Sequence, residues 1–308
     1  MDRTERPLIV ILGPTAVGKT EISIRLADAL GGEIVSADSR LFYRGLDIGT
    51  AKPTPKERTQ VPHHLIDVAA PDQDWNLALF LPAALSAVRD IQDRGRLPFL
   101  VGGTGQYIQA VVQGWDLPET KPHPDLRKVL QKWAEEVGME GMRSRLQVLD
   151  PEAAAGIDGP NLRRMIRALE VILTSGRKFS QQRNKGDSPF KVLQIGLIRP
   201  RKELYQRADQ RLDQMIKDGL VEEVEGLLEA GFSADLPSLS AIGYKQIVSY
   251  LLGEIPFEEA LRQIRGKTHR FIRQQANWFR ETDPDICWFE VNDRQLGPIL
   301  EQIQHFLS

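Results

Sequence analysis

Eight residues, Gly13, Pro14, Thr15, Ala16, Val17, Gly18, Lys19 and Thr20, fill every required position of the pattern G-x-x-x-x-G-K-[ST]. Residue types at this spacing bind phosphate. Successive backbone N–H groups in such a loop turn inward at the positive end of a helix dipole, where a phosphate or diphosphate is held. Lys19 adds a point charge on the phosphate oxygens, and the Thr20 hydroxyl suits a phosphate oxygen or a Mg²⁺ ion. The apolar run Leu8–Leu12 before the loop and the amphipathic run Glu21–Leu30 after it supply the strand and helix that a chance glycine turn would lack. The loop alone does not say which phosphate compound it holds.

Positioning this loop requires a sheet. Leu8–Leu12, Glu33–Ala37 and Leu97–Val101 read as short buried strands, with Leu65–Asp67 a weaker one. Lys19–Leu30 and Leu77–Arg94 carry helical periodicity between them, and Gly31-Gly32 and Gly95 stand where helices end. This alternation predicts an α/β fold, a P-loop NTPase-like parallel sheet core flanked by helices. Ligands of such sheets gather at the carboxyl ends of the strands, which marks the loops Gly13–Thr20, Asp38–Arg44 and Gly102–Gln106. After Trp115 the texture changes, and DLPETKPHPD, with three prolines, reads as a linker. Leu126–Val137, Met139–Leu149 and Leu162–Thr174 then show apolar spacings of three and four, and Val192–Ile198 resumes a strand pattern. The expectation is a core of residues 1–116 and 191–308 interrupted by a mainly helical insertion domain over 117–190. Helices over Lys202–Lys217, Val221–Ala230, Ile242–Leu252 and Phe257–Arg280, a strand at Ile286–Val291 and a final helix complete the core.

The 308-residue chain is 41% hydrophobic, ample for burial, and its length suits two domains or one carrying an insertion. No run approaches the ~18 apolar residues of a membrane helix. The opening MDRTERP is charged and leads straight into a strand, so no signal peptide is expected and the protein reads as cytoplasmic. A lone Cys287 excludes an internal disulfide and a cysteine-based zinc site. Monomer is the default state. The net charge of −2 hides two basic tracts: thirteen basic residues against four acidic ones from Asn161 to Arg211, and six against none from Arg262 to Arg280. The second interleaves Phe271, Trp278 and Phe279. Basic grooves with aromatic platforms suit single-stranded nucleic acid, so a polyanionic partner is expected.

Seven segments, taken in order, resemble one family. GPTAVGKT, ADSRLFYRGLDIGTAKP (Ala37–Pro53), HHLID (His63–Asp67), VGGTGQYIQA (Val101–Ala110), RALEV (Arg167–Val171), AIGYKQ (Ala241–Gln246) and RQQANWFR (Arg273–Arg280) are similar to the motif series of the tRNA dimethylallyltransferases, also called tRNA isopentenyltransferases. The resemblance spans about residues 8 to 280. It implies transfer of a dimethylallyl group from dimethylallyl diphosphate to N6 of adenine-37, beside the anticodon, with release of diphosphate in the presence of Mg²⁺. The implied partners are dimethylallyl diphosphate and the tRNA anticodon stem-loop, which the helical insertion is long enough to grip. The loop Gly13–Thr20 then clamps the leaving group, with Thr20 on the metal.

By the same resemblance Asp38 is the base that orients the adenine amine and accepts its proton; read alone, an Asp after a strand is as readily an Asx-turn or N-cap. Thr104 matches a contact near the reacting base, and Arg211 an arginine that reaches the diphosphate, where a planar fork suits phosphate oxygens. The positions implied to touch tRNA fall in five groups. They are Asp38, Ser39, Arg40 and Leu41 with Thr104; Arg127; Arg163, Arg164, Met165, Ile166 and Arg167; Ser240, Ala241, Ile242, Gly243, Tyr244 and Lys245; and Arg273, Gln274, Gln275, Ala276, Asn277, Trp278, Phe279 and Arg280. Two positions depart from the family pattern. Leu41 stands where many members carry Gln, and DGPN replaces a longer Asn-Asp-Pro-Gln lead-in to RRMIRALEV.

Three other functions fit parts of this pattern. A P-loop kinase needs a strand ending in an Asp that holds Mg²⁺, whereas LPFLV ends in Gly102-Gly103-Thr104 and Asp67 follows only a short run. An adenylate isopentenyltransferase, acting on free AMP, ADP or ATP, has no need of the basic tracts. A non-catalytic tRNA-binding protein has no use for an intact diphosphate loop.

Overall fold

The computed structural model describes residues 6–117, 123–182, 186–291 and 296–308. Arg183 and Lys185 of the first basic tract, residues 118–122 of the linker and the first five residues lie outside them. The chain forms two compact units, Met1–Val112 with Ser188–Ser308, and Gln113–Asp187.

The first unit opens with β1 (Pro7–Leu12), α1 (Lys19–Ala29), β2 (Gly32–Ser36), α2 (Pro55–Gln60), β3 (His63–His64), α3 (Leu77–Asp93), β4 (Leu97–Gly102) and α4 (Gly105–Val112). The second holds α5 (Pro124–Leu149), α6 (Pro151–Ala155) and α7 (Leu162–Ser175). Back in the first, the chain forms β5 (Lys191–Ile198), α8 (Arg201–Lys217), α9 (Leu220–Glu229), α10 (Tyr244–Leu251), α11 (Phe257–Gln275), β6 (Ile286–Glu290) and α12 (Gly297–Leu307).

Six strands make one parallel sheet in the order β3-β2-β4-β1-β5-β6. Ile9 of β1 pairs with Phe99 on one side and Leu193 on the other, and Leu8 to Leu12 are fully buried. Helices cover both faces of such a sheet, which is why its central strand is an unbroken apolar run. Ile22, Leu26 and Ala27 of α1 and Ile299 and Ile303 of α12 share one core with Ile9, Ile11, Ile34 and Ile195. Strand order reverses about β1, with β2 and β4 to one side and β5 and β6 to the other. Ligands bind outside the carboxyl ends of the strands at such a point.

Two expected elements differ. The third strand is His63–His64, paired with Ile34 and Val35, and not Leu65–Asp67. Leu65 and Asp67 take φ of 60° and 59°, left-handed values outside the β region, and the Asp67 carboxylate turns to Lys52 and Arg58. The helix expected to reach Arg280 stops at Gln275, where the chain turns and buries Phe279.

In the second unit α5 breaks at Gly138, with φ 68° and ψ 178°. Leu130, Ala134, Met142 and Leu146 pack with Ala154, Ile157, Met165 and Leu169. The buried Asp150 caps α6 through Ala153 N and accepts from both Ser180 N and Ser180 Oγ at 2.8 Å. No helix among the described residues is long and apolar enough to cross a membrane.

Candidate active site

β1 ends at Leu12 and the chain turns at once. Gly13, at φ 149°, comes so near β5 that a Cβ there would stand 2.6 Å from the Leu197 carbonyl oxygen, so only glycine fits. Ala16 follows at φ 68° and Gly18 at φ 106°. Left-handed residues set among ordinary ones turn successive N–H groups to one side, which is the geometry of an anion nest. Among the described residues no side chain caps the N-terminus of α1, and its dipole favours an anion there.

Two arginines brace the loop. Arg199 Nε donates to Val17 O at 2.9 Å and Arg207 Nε to Ala16 O at 3.0 Å. Since the N–H of a trans peptide points opposite its C=O, pinning these carbonyls aims the following amides the other way. Lys19 Nζ donates to the carbonyls of Gly13 and Pro14 at 3.0 and 2.9 Å. The buried Gln275 ties the first loop to the third: its Oε1 accepts from Thr15 N at 2.8 Å, and its Nε2 donates to Gly103 O at 3.1 Å.

A cavity of about 670 Å³ opens at the carboxyl ends of the strands. Thr15 comes to it from the first loop, Asp38, Ser39 and Arg40 from the second, and Thr104 from the third. Arg211 of α8, residues 240–243, and Gln274, Gln275, Asn277 and Trp278 around the end of α11 also line it, with Thr50, Gln106 and Thr268. Asp38 Oδ1 accepts from Arg40 N at 3.0 Å, an Asx-type turn that fixes the carboxylate. Thr104 Oγ1 accepts from Ser39 N at 3.2 Å and so joins the second loop to the third. Ala208, Leu212, Met215, Leu220, Ile264 and Phe271 make an apolar wall. One carboxylate, two arginines and an anion nest beside such a wall suit a ligand with an anionic head and a small apolar tail, next to a flat polar group.

Burial lowers the Lys19 ammonium to about 8, Asp38 opposing the shift and Arg211 adding to it. Burial likewise pulls Arg211 below its usual value, against the charge of Asp38. Arg211 is exposed and opens onto the cavity.

Not every expected contact faces that space. Arg163, Arg164, Lys245, Ala276 and Arg280 are exposed, as is Arg273, which donates to Tyr205 OH at 3.1 Å. Leu41 is half-buried, its carbonyl accepting from Asp67 N at 3.2 Å. Tyr244, Phe279, Met165 and Ile166 are buried, their side chains packed in the core. Met165 shares its stripe of α7 with Leu169, four residues on, and burying such a side chain is worth about 1.5–3 kcal/mol. Arg127 and Arg167 are also committed: Arg127 Nε and Nη2 grip the two Glu170 oxygens at 2.8 and 2.9 Å, and Arg167 Nη1 reaches one at 2.6 Å. Burial would raise the Glu170 carboxyl, but these hydrogen bonds and that from His123 N hold it below its ordinary value. Gln275 lines the cavity while bonding the first and third loops.

Sequence reading missed Arg199 and Arg207. Arg199 directly follows β5, at a strand's carboxyl end, which was the available signal; it was lost among the charges of the basic tract. Asp67, the residue a kinase would place on Mg²⁺, spends its carboxylate on Lys52 Nζ at 2.6 Å and Arg58 Nη1 at 2.7 Å. Among the described residues no cluster of three His, Cys, Asp or Glu side chains is placed to hold a metal. Thr20 is exposed at the start of α1. A single hydroxyl beside an anion nest fits Mg²⁺, which keeps several waters and binds largely through the phosphate oxygens of a substrate.

A family model described as IPP transferase matches residues 41–282, and one described as isopentenyl transferase matches residues 7–67. A tRNA dimethylallyltransferase of Roseiflexus sp. (strain RS-1) is 52% identical over 274 residues, covering 89% of this chain and 90% of that protein. One from Thermomicrobium roseum is 48% identical over 286 residues, covering 93% and 87%. The crystal structure of a full-length tRNA isopentenylpyrophosphate transferase from Bacillus halodurans matches with a TM-score of 0.72 at 40% identity, over 98% of this chain and 96% of that one. The matches run through both segments of the sheet-bearing unit and the helical unit between them, and the chain belongs to the IPP transferase family.

Proposed function

We propose that the chain transfers a dimethylallyl group from dimethylallyl diphosphate to N6 of adenine-37 in tRNA and releases diphosphate. One observation carries this: a single cavity collects Thr15 of the anion loop, Arg211, Asp38 and an apolar wall. The diphosphate lies in the loop Gly13–Thr20, met by Lys19 and Arg211, and the five-carbon tail lies on the wall. Adenine enters beside Asp38 and Thr104. N6 attacks the allylic carbon as the carbon–oxygen bond breaks; the bonding pair leaves with the diphosphate, and the amine proton passes to Asp38. Preorganised N–H donors and two cations meet the charge that develops on the leaving oxygen. Mg²⁺, held by Thr20 and the diphosphate, supplies further neutralisation of that group when bound.

The base reaches Asp38 only if it leaves its stack, as bases undergoing chemistry do. Trp278, 41% exposed on the cavity, offers a face for stacking. The helical unit, through the exposed Arg163 and Arg164, grips the anticodon stem-loop. The test is to incubate the protein with labelled dimethylallyl diphosphate, Mg²⁺ and either unmodified tRNA or AMP. Label on tRNA is expected. Label on AMP alone makes this an adenylate isopentenyltransferase, and ATP turnover without label transfer makes it a kinase.

A further inference from the structure

Glu223 of α9 gathers more backbone amides than any other carboxylate among the described residues. Its Oε2 accepts from Asp47 N at 2.9 Å and Ile48 N at 2.8 Å, and its Oε1 from Gly49 N at 3.3 Å. The Tyr244 hydroxyl donates to Oε1 as well. Three consecutive N–H groups converging on one point form an anion nest; here the anion belongs to the protein.

The segment so held is a tight loop. Ala51 N donates to Ile48 O and Lys52 N to Asp47 O, both at 3.0 Å, and Thr50 Oγ1 donates to Leu46 O at 2.6 Å. Lys52 Nζ pins its far end to Tyr43 O at 2.8 Å and to Asp67. Gly49 and Thr50 line the cavity, as does Leu220, one turn before Glu223 on α9. Gly49 packs so closely on the Tyr244 ring that a Cβ would stand 2.5 Å from it. Burial, and then the Glu223 charge beside it, push the Tyr244 hydroxyl well above its ordinary value, so it stays a donor.

We propose that Glu223 is a positioning residue for prenyl transfer: it fixes Gly49 and Thr50 as a wall of the cavity and so sets the room in which donor tail and acceptor base meet. The proposal rests on the reading of the cavity given above. Glu223 touches neither reactant. It acts through the peptide groups it holds, and a carboxamide in its place keeps one accepting oxygen but turns its NH₂ toward either Gly49 N or the pair Asp47 N and Ile48 N, which are themselves donors.

The experiment uses the full chain carrying Glu223→Gln, with hydrogen exchange followed at the amides of Asp47, Ile48 and Gly49 and prenyl transfer to tRNA measured in parallel. Those three amides should exchange about tenfold faster or more, while the amides of β1 and β4 keep their protection. The kcat should fall about 10–100-fold, the cost of a small misplacement of reactants, with the KM for dimethylallyl diphosphate changed by less than about twofold. Glu223→Asp, which keeps the charge but withdraws it by one methylene, should fall between Gln and wild type in both readouts, and it serves alone if the Gln variant does not fold. Wild-type exchange at the three amides overturns the proposal, and so does faster exchange with undiminished kcat. A wild-type chain that labels no tRNA strikes the reading of the cavity, and the exchange arm still decides whether Glu223 holds the loop.

Discussion

Arginines that look alike in the sequence end in opposite conditions in the two units. In the sheet-bearing unit, Arg211 faces the cavity, and no described residue makes an ion pair or hydrogen bond to its guanidinium. Within the helical unit, Arg127 and Arg167 close on Glu170, which is fully buried between them. Counted in a sequence, such cations carry equal weight. The difference teaches that a basic tract measures charge, whereas function needs charge left unspent. A guanidinium already paired with a buried carboxylate has fewer N–H groups, and less net charge, to offer a phosphate.

Substitutions that remove each kind of charge sharpen the contrast. Arg211→Ala should cost about 10²–10³-fold in prenyl transfer, the effect of deleting one preorganised donor to a leaving group, with the thermal midpoint of unfolding nearly unchanged. Equal loss of activity and stability would place Arg211 with the structural arginines. Asp38→Ala should lower turnover by about 10²-fold or more while tRNA affinity stays close to wild type; an equal fall in affinity, measured by titration with unmodified tRNA, would make Asp38 a binding group only. Glu170→Gln should do the reverse of both. It weakens the clamp on two arginines that are 40% and 30% exposed and can rehydrate, so about 1–3 kcal/mol of stability is lost. Its KM for dimethylallyl diphosphate should not move, and a change there in the urea-stable fraction would break the contrast.

Two smaller effects probe the loop itself. Gln275→Leu leaves Thr15 N and Gly103 O without the side chain that joins them, and the donor KM should rise about tenfold as the loop loses its alignment; an unchanged KM would show that the tie is dispensable. The second effect is pH dependence. Lys19, lowered by burial to about 8 in the folded chain, keeps its proton to about 10.4 when unfolded. Between those values the unfolded chain binds more protons, so Lys19 makes stability rise with pH across that window. Donor binding moves the other way. Loss of the ammonium should raise the KM for dimethylallyl diphosphate as pH climbs through about 8, while kcat at saturation changes less because bound diphosphate holds the proton on Lys19. A donor KM flat from about pH 7 to 9.5 would separate Lys19 from the diphosphate.

Legibility varied with how local the cause was. Leu8–Leu12 reads as a central strand because burial on both faces demands an unbroken apolar run, and Gly13–Thr20 reads as an anion loop because its glycines and Lys-Thr pair are contiguous. The break at Gly138 falls between the two helical runs expected on either side of it. Leu65–Asp67 misled because its apolar texture suits a strand, whereas the positive φ of Asp67 comes with ion pairs to Lys52 and Arg58, fifteen and nine residues away. Tyr244 and Phe279 add a different point: a motif shows that a residue is wanted without showing which way its side chain turns, and both turn to the core. Glu223 could not be seen at all, since its three amides lie some 175 residues away.

From the sequence alone came the anion-binding chemistry, the parallel α/β core with its helical interruption and the family resemblance, because each rests on residues adjacent in the chain or on periodicities of two and three to four. Tertiary structure decided which charges remained available. It spent Asp67, Arg127 and Arg167 on ion pairs, turned Gln275 and Glu223 to backbone groups of distant loops, and left Asp38 and Arg211 facing one cavity. The physical reason is that a buried charge or amide must find a partner within about 3 Å, and which partner lies that close is settled by packing across the whole chain.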